Sequence, residues 1–185
     1  MSFHEYGKFD ALGLAQAIAK KKVSTHEVMD EAIARAEALN TKLNAIIFKA
    51  YDEARSAART KTQKGPFAGV PMLLKDMRAN VRGWPNRSGS RYVPAAPSTF
   101  ESTLVTRCKA VGLIPLGKTN VPEFGILPTT ECKLYGPATI RGTSHTRRVA
   151  RRAVPLLRSP PGSFRSRMRP MAAARSAFPP RPADW

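Results

Sequence analysis

The segment with the clearest chemical pattern is GLIPLGKT, residues 112–119, which matches the phosphate-loop pattern G-x-x-x-x-G-K-[ST] at every position. A phosphate loop needs a buried strand before its first glycine, a small flexible turn whose N–H groups face phosphate, and a helix that starts at the lysine. In that context Lys118 would bind the phosphates of a nucleotide. The neighbouring residues decide whether that context exists.

The residues around this segment predict a different order of elements. Residues 98–101 (STFE) are typical of a capping box, and apolar residues at helical spacing follow, so a helix is expected to run up to Gly112. Gly112 then ends that helix, and the bulky apolar residues between the two glycines indicate a short buried strand. Pro122 disfavours a helix after Lys118. We interpret the segment as helix, glycine, strand and turn, with no bound nucleotide.

Other familiar reactive groups are sparse. The three histidines, His4, His26 and His145, are scattered along the sequence, so neither a metal site nor a Ser-His-Asp triad is suggested. The two cysteines, Cys108 and Cys132, are too few for a disulfide framework or a metal-ligand cluster, and Cys108 is expected to be a reduced core residue. We therefore expect no cofactor and no metal.

The first 137 residues alternate helix and strand patterns. Asp10 and the capping box of residues 24–27 (STHE) each start an amphipathic helix. The further elements expected before the segment described above are a strand at 43–48, a helix from 51 to about 63, a buried strand at 70–74 and a surface loop at 77–97. The strand at 70–74 delivers Lys75 and Asp76 at its end. Helices that alternate with buried strands are typical of an α/β layered domain.

Positive charge is concentrated at the end of the chain. Residues 138–185 contain eleven arginines, no lysine and one acidic residue, and they account for +10 of the net charge of +18. They lack a sustained period of 2 or 3.6 residues and contain seven prolines, so they are predicted to be disordered. We divide the chain into a partial domain, residues 1–137, and this tail. The tail is either a basic arm that binds nucleic acid or a segment that never evolved as protein.

Three motifs resemble the amidase signature family: GPFAGVPMLLKD at residues 65–76, VGLIPLGKTNVPEFG at residues 111–125, and YGP at residues 135–137. In that family a G-x-P…KD strand is followed by GKTN-x-PEF and then by YGP-x-x-NPWD…GGSSGGS. The resemblance covers about Phe9 to Pro137, and the combination and order of the motifs make it specific. The family's glycine-serine segment is expected just after Pro137, and the sequence there does not contain it.

The resemblance implies the N-terminal part of an amidase signature fold, a mixed sheet sandwiched by helices, here incomplete. It also implies hydrolysis of carboxamide C–N bonds by a Ser, cis-Ser, Lys triad: one serine attacks the carbonyl, the cis-serine passes on its proton, and a lysine accepts it. Lys75 matches the family's lysine. A lysine acts as a base only when neutral, and the buried strand that ends on Lys75 is expected to supply the desolvated setting this requires. Taken alone, a strand-end lysine is more often a snorkelling surface residue. Asp76 is expected to support the turn.

The tail also encodes an amidase signature sequence in a second reading frame. Each hidden codon takes the third base of one visible codon and the first two bases of the next. With suitable synonymous codons, the stretch from Thr139 onward then encodes NPWD, GGSSGGS and GGGSIR in the family's order. Met171 has a single codon, so the hidden codon that it shares with Ala172 must encode glycine, and that glycine falls inside GGGS. We infer a frameshift between Pro137 and Ile140.

Both catalytic serines of the family are lost in the visible frame. The hidden cis-serine codon spans Arg151 and Arg152, and the hidden nucleophile codon spans Ala174 and Arg175. The serines that remain nearby lack the glycine-rich setting that would supply backbone oxyanion donors: Ser159, Ser163, Ser166 and Ser176. Because triad members act as a unit, the chain as given is expected to be inactive.

The sequence therefore predicts a truncated amidase whose intact parent takes a small-molecule amide substrate. The alternative is a small basic nucleic-acid-binding protein with an arginine-rich arm, which the scarcity of aromatics in the tail (Phe164, Phe178 and Trp185) disfavours. We expect no specific nucleic acid and no membrane partner, since no apolar run approaches membrane-spanning length. The N-terminal residues have no apolar signal region, so a cytoplasmic location is expected.

Overall fold

The computed structural model describes residues 4–60 and 63–139 of the 185-residue chain. Helices and strands alternate along these residues. The α-helices are α1 (Ala11–Ala19), α2 (Thr25–Leu43), α3 (Tyr51–Thr60) and α4 (Thr103–Ala110). The strands are β1 (Ile46–Lys49), β2 (Pro71–Lys75), β3 (Ile114–Thr119), β4 (Glu131–Cys132) and β5 (Gly136–Pro137), and short 3-10 helices span His4–Lys8 and Glu123–Gly125.

Strands β1, β2 and β3 form a mixed sheet in the order β1-β3-β2. Strand β1 is antiparallel to β3, whereas β2 is parallel to β3. Parallel neighbours need a crossover connection, which residues 76–113 provide with a long loop and α4. Strands β4 and β5 form a separate two-stranded antiparallel pair. The α/β architecture and the mixed sheet predicted from the sequence are confirmed for the described part of the chain.

Apolar side chains pack on both faces of the mixed sheet. On one face, Leu73 and Leu116 belong to a buried cluster that includes residues of α1, α2 and α3. On the other face, Leu74 packs with Trp84 and Val105 from the crossover connection. A strand that is covered on both faces has a continuous apolar sequence instead of an alternating one, which explains the apolar stretches of β2 and β3.

Two helix starts follow the predicted capping pattern. The Asp10 carboxylate accepts a hydrogen bond from the Gly13 N–H at 2.7 Å and caps α1. At the start of α2, the Ser24 hydroxyl accepts from the Glu27 N–H, and the Glu27 carboxylate accepts from the Ser24 N–H at 2.9 Å. These bonds satisfy N–H groups that have no partner within a helix.

The predicted capping box at residues 98–101 is wrong. Helix α4 begins at Thr103, with Ser102 at the capping position. Ser98 instead belongs to the crossover loop, where its N–H donates to the Trp84 carbonyl at 3.0 Å and its hydroxyl donates to the Phe100 carbonyl at 2.8 Å. These bonds hold the chain before α4 against the loop, so the helix starts one turn later than the sequence pattern indicates.

The remaining boundaries shift by a few residues. Strand β1 begins at Ile46 and not at residue 43, because α2 continues to Leu43. At the other end, the described chain passes Pro137: the Ala138 N–H donates to the Thr130 carbonyl, and the Thr139 N–H donates to the Leu43 carbonyl, both at 2.9 Å. Residues 140–185, which hold most of the predicted tail and the hidden serine codons, lie outside the described residues.

Candidate active site

Lys75 is the last residue of β2, as the sequence predicts, and it is partly buried. Its partner in the neighbouring strand is Thr119, which in turn pairs with Ile46, so these three residues share one face of the sheet. Among the described residues, the Lys75 amine has no hydrogen-bond or ion-pair partner. The Thr119 hydroxyl is buried and also has no hydrogen-bond partner within the described part of the chain.

Asp76 follows Lys75, and its side chain is buried, with 1% exposure. Its two carboxylate oxygens accept hydrogen bonds from the N–H groups of Arg87 at 3.1 Å and Gly89 at 3.3 Å. Burial raises the pKa of Asp76, and the two N–H donors and the charge of Lys118 act in the opposite direction. Through these bonds Asp76 supports the loop around Arg87 and Gly89, whereas the turn directly after β2 was the predicted place of its support.

Lys118 is fully buried and makes two polar contacts. Its amine donates a hydrogen bond to the Pro85 carbonyl at 2.6 Å and lies 3.9 Å from a carboxylate oxygen of Asp76. Burial lowers the pKa of Lys118 to about 8, and the charge of Asp76 partly opposes that shift.

A bulge in the pairing of β2 with β3 accounts for the position of Lys118. Met72 pairs with Pro115, but Leu74 pairs with Lys118, so β3 contains one extra residue between these pairs. The extra residue brings Lys118 onto the face of Leu74, away from the face of Leu116. The sequence pattern did not reveal Lys118 as part of this site. The only signal was a lysine inside an apolar strand, which implies a buried partner.

Tyr135 connects the Asp76 carboxylate to the chain near Pro137. Its phenol interacts with that carboxylate, and burial together with the nearby negative charge raises the pKa of Tyr135 to about 12. The Tyr135 carbonyl accepts a hydrogen bond from the Asn44 side chain at 2.7 Å, and the Asn120 side chain donates to the Gly136 carbonyl at 3.1 Å. No sequence pattern indicated these polar contacts, which join residues far apart in the chain.

The arrangement around Lys118 is incompatible with a phosphate loop. Gly112 follows α4, β3 occupies the space between the two glycines, and the next element after β3 is a 3-10 helix that begins at Glu123. The Lys118 amine is already bound by Pro85 and Asp76. The interpretation of GLIPLGKT as helix, glycine, strand and turn is therefore confirmed.

Other kinds of site are not apparent in the part of the chain that the structure describes. Its histidines, cysteines and acidic residues form no group of three or more that could hold a metal ion. None of the helices between residues 4 and 139 is both long and apolar enough to cross a bilayer. Cys108 and Cys132 are free thiols. Cys132 is buried and Cys108 is only partly so.

Comparison with known proteins decides the family. The family model described as Amidase matches residues 27–140, which include Lys75, Asp76, Lys118 and Tyr135. The chain belongs to the amidase signature family. The match ends three residues after Pro137, close to the start of the arginine- and proline-rich tail at residue 138.

Individual amidase relatives match the same part of the chain. A Mycobacterium tuberculosis protein named as an amidase, AmiC, is 39% identical over 132 residues, covering 71% of this chain and 28% of that protein. The 6-aminohexanoate-cyclic-dimer hydrolase of Paenarthrobacter ureafaciens is 34% identical over 129 residues, covering 69% of this chain and 26% of that protein. A solved structure of 6-aminohexanoate cyclic dimer hydrolase has a TM-score of 0.67 at 33% identity and covers 71% of this chain and 27% of that one. The chain thus spans between 26% and 28% of the length of these relatives.

Proposed function

We propose that residues 1–137 are the lysine-bearing part of a carboxamide hydrolase and that Lys75 is its general base. The observation that carries this proposal is the position of Lys75 at the end of a β2 strand that is largely buried, in a chain of the amidase family. A base at a strand end is held rigidly, whereas a base on a long loop is not. The similarity to a 6-aminohexanoate-cyclic-dimer hydrolase supports amides of small organic acids as the substrate class.

The neighbours of Lys75 support this role. The adjacent carboxylate, Asp76, is on the opposite face and already has Lys118 and two backbone N–H groups as partners. Asp76 therefore does not need the Lys75 amine as a counterion, and Lys75 is left available for proton transfer. The buried Thr119 hydroxyl on the same face as Lys75 has no partner among the described residues, which favours a further polar group at this position in an intact enzyme.

In the proposed mechanism, a serine hydroxyl attacks the amide carbonyl and its proton passes through the cis-serine to neutral Lys75. The proton then moves to the leaving nitrogen as the C–N bond breaks, and the acyl-serine is released by water. Lys75 is the only member of this triad that the visible sequence supplies. The hidden frame supplies both serines, at the codons that span Arg151–Arg152 and Ala174–Arg175.

We propose further that a frameshift between Pro137 and Ile140 separates these serines from Lys75, so the chain as given does not hydrolyse amides. The end of the family match at residue 140 supports this position for the frame change. Sequencing the DNA around the codons for Pro137 to Ile140 tests it directly. DNA whose second reading frame does not encode NPWD, GGSSGGS and GGGSIR after this point would contradict the frameshift.

The activity test uses an enzyme whose frame is restored after Pro137 and extended to full length. We expect this enzyme to hydrolyse simple carboxamides, and we expect Lys75→Met to lower the rate on the order of a thousandfold or more, because no other base can take the serine proton. Lys49→Met is the matched control, since Lys49 also ends a strand but is exposed. Full activity in the Lys75→Met enzyme would show that the base lies elsewhere.

A further inference from the structure

The Asp76 carboxylate lies where four segments of the chain meet. It directly follows β2, and its partners come from the loop at residues 85–90, from β3 and from the turn that joins β4 to β5: the N–H groups of Arg87 and Gly89, the amine of Lys118, and the phenol of Tyr135. The Asp76 N–H also donates to the Thr119 carbonyl at 3.2 Å.

The loop backbone is shaped to bind this carboxylate. Ser88 and Gly89 both have a positive φ, of 51° and 67°, and the turn around Ser88 directs the N–H groups of Arg87 and Gly89 toward the same carboxylate. A Cβ at residue 89 would lie 2.7 Å from the Val121 carbonyl oxygen, so the loop is pressed against the chain that leaves β3. The Ser90 hydroxyl donates to the Glu123 carboxylate at 2.6 Å and adds a second link between the same two segments.

The partners of Asp76 also explain why a buried charge is tolerated at this position. An ionised carboxylate loses its hydration when it is buried, and this loss is offset only by hydrogen bonds and an opposite charge with good geometry. Lys118 supplies the charge, and its own remaining hydrogen bond goes to the Pro85 carbonyl at 2.6 Å, in the same loop. The carboxylate and the amine therefore hold the loop from both ends.

We propose that Asp76 is a positioning residue. Its carboxylate holds loop 85–90, β3 and the Tyr135 segment in one arrangement around the end of β2, and it thereby sets the position of Lys75 relative to residues 135–137. Tyr135 lies two residues before Pro137, so this contact reaches the point where the family's serine segment begins. The consequence for Lys75 rests on the proposed function, whereas the arrangement of the four segments does not.

The test uses the full chain and the Asp76→Asn variant, which keeps the size of the side chain but removes its charge. We expect the amide hydrogens of Arg87 and Gly89 to exchange at least about tenfold faster in the variant, measured by NMR at constant pH. We also expect the phenol of Tyr135 to titrate at a lower pH, because the neighbouring negative charge is gone. Asp52→Asn is the matched control, since it removes the same charge from a fully exposed side chain on α3.

A second variant, Tyr135→Phe, removes the contact between the Tyr135 phenol and the Asp76 carboxylate and leaves the other partners of Asp76 in place. We expect the amide of Ala138 to exchange faster in this variant, because the chain around it is no longer tied to Asp76, while Arg87 and Gly89 keep their protection. The proposal would be overturned if Arg87 and Gly89 exchanged no faster in Asp76→Asn than in the wild-type chain, or if the titration of Tyr135 did not move. These measurements require no hydrolysis, so their failure would leave the role of Lys75 as a base to be judged by the activity test.

Discussion

At the scale of single residues, Lys118 is the most constrained charge in the described structure. Its amine is fully buried, and its polar partners among the described residues are the Pro85 carbonyl and the Asp76 carboxylate. Removing one member of a buried ion pair leaves the other charge without compensation, which typically costs about 3–5 kcal/mol of folding stability. A substitution at Lys118 is therefore expected to affect the whole fold, although the residue lies outside the proposed triad.

We predict that Lys118→Met lowers the free energy of unfolding at pH 7 by about 3 kcal/mol, measured by urea denaturation. The difference between wild type and variant should also grow with pH. The pKa of Lys118 is about 8 in the folded chain, below the ordinary value of 10.5, so between these values the unfolded chain binds more protons and the stability of the wild type rises with pH. We expect a further gain of about 2 kcal/mol for the wild type between pH 7 and pH 10.

The control for this experiment is Lys109→Met, because Lys109 is partly exposed and its ion pair with Glu101 lies at the surface. This variant should change stability by less than about 1 kcal/mol. A Lys118→Met variant whose stability runs parallel to that of the wild type from pH 7 to pH 10 would contradict the lowered pKa of Lys118, and with it the burial of the amine.

The sequence predicts the position of Lys75 better than that of Lys118, for a physical reason. An apolar run that ends on Lys75 and Asp76 is enough to indicate a strand end. The side of the sheet that Lys118 occupies depends instead on one extra residue in the pairing with β2, and a bulge is a property of two strands together. Likewise, the contacts of Asp76 with Gly89 and Tyr135 join segments that no local pattern connects.

At the scale of secondary-structure elements, Gly112 is the turn that lets α4 lead directly into β3. Its φ of 95° lies in the region that only glycine adopts readily, and its carbonyl accepts a hydrogen bond from the Gly69 N–H at 2.9 Å. A Cβ at this position would lie 2.6 Å from the Cα of Ala68. The glycine is thus required both by the backbone angle and by the close approach of a second segment.

We predict that Gly112→Ala destabilises the chain by about 3 kcal/mol, because it combines an unfavourable φ with a steric clash against backbone atoms. Gly83 is a matched control, with a φ of 86° and open space for at least 4 Å around the place that a Cβ would take. Gly83→Ala should therefore cost only about 1 kcal/mol, the part due to the angle. Thermal or urea unfolding of the two variants measures the difference, and equal losses would show that the clash at Gly112 is relieved by movement of Ala68.

Local signals predict the start of an element where its capping groups are close in sequence. Ser24 and Glu27 cap α2 as their spacing indicates. The same spacing at residues 98–101 misleads, because the Ser98 N–H is bound to Trp84, fourteen residues earlier in the chain, as part of the crossover loop. The two local patterns are equally good, and a tertiary contact decides which of them caps a helix. A local sequence pattern does not contain that contact.

At the scale of the whole molecule, the distribution of charge matters more than its total. Residues 138–185 contribute +10 of the net charge of +18 and contain no lysine. In our proposal this excess has no function, because GC-rich DNA read out of frame tends to encode Arg, Pro, Ala and Ser. A dense set of arginines will nevertheless attract any polyanion, since binding releases the counterions of the phosphates.

We predict that the chain binds nucleic acid without sequence preference, and that the tail is responsible. For about six phosphate contacts, the affinity should fall on the order of a thousandfold between about 50 and about 200 mM salt. Replacing three tail arginines with glutamine (Arg147, Arg148 and Arg151) should weaken binding and lower the salt dependence, because each lost contact removes nearly one released counterion.

The matched control replaces the exposed cluster Lys20, Lys21 and Lys22, which removes the same charge from the end of α1. Fluorescence anisotropy with two unrelated duplexes measures both effects, and a clear preference for one duplex at physiological salt would favour a nucleic-acid-binding protein over an out-of-frame tail.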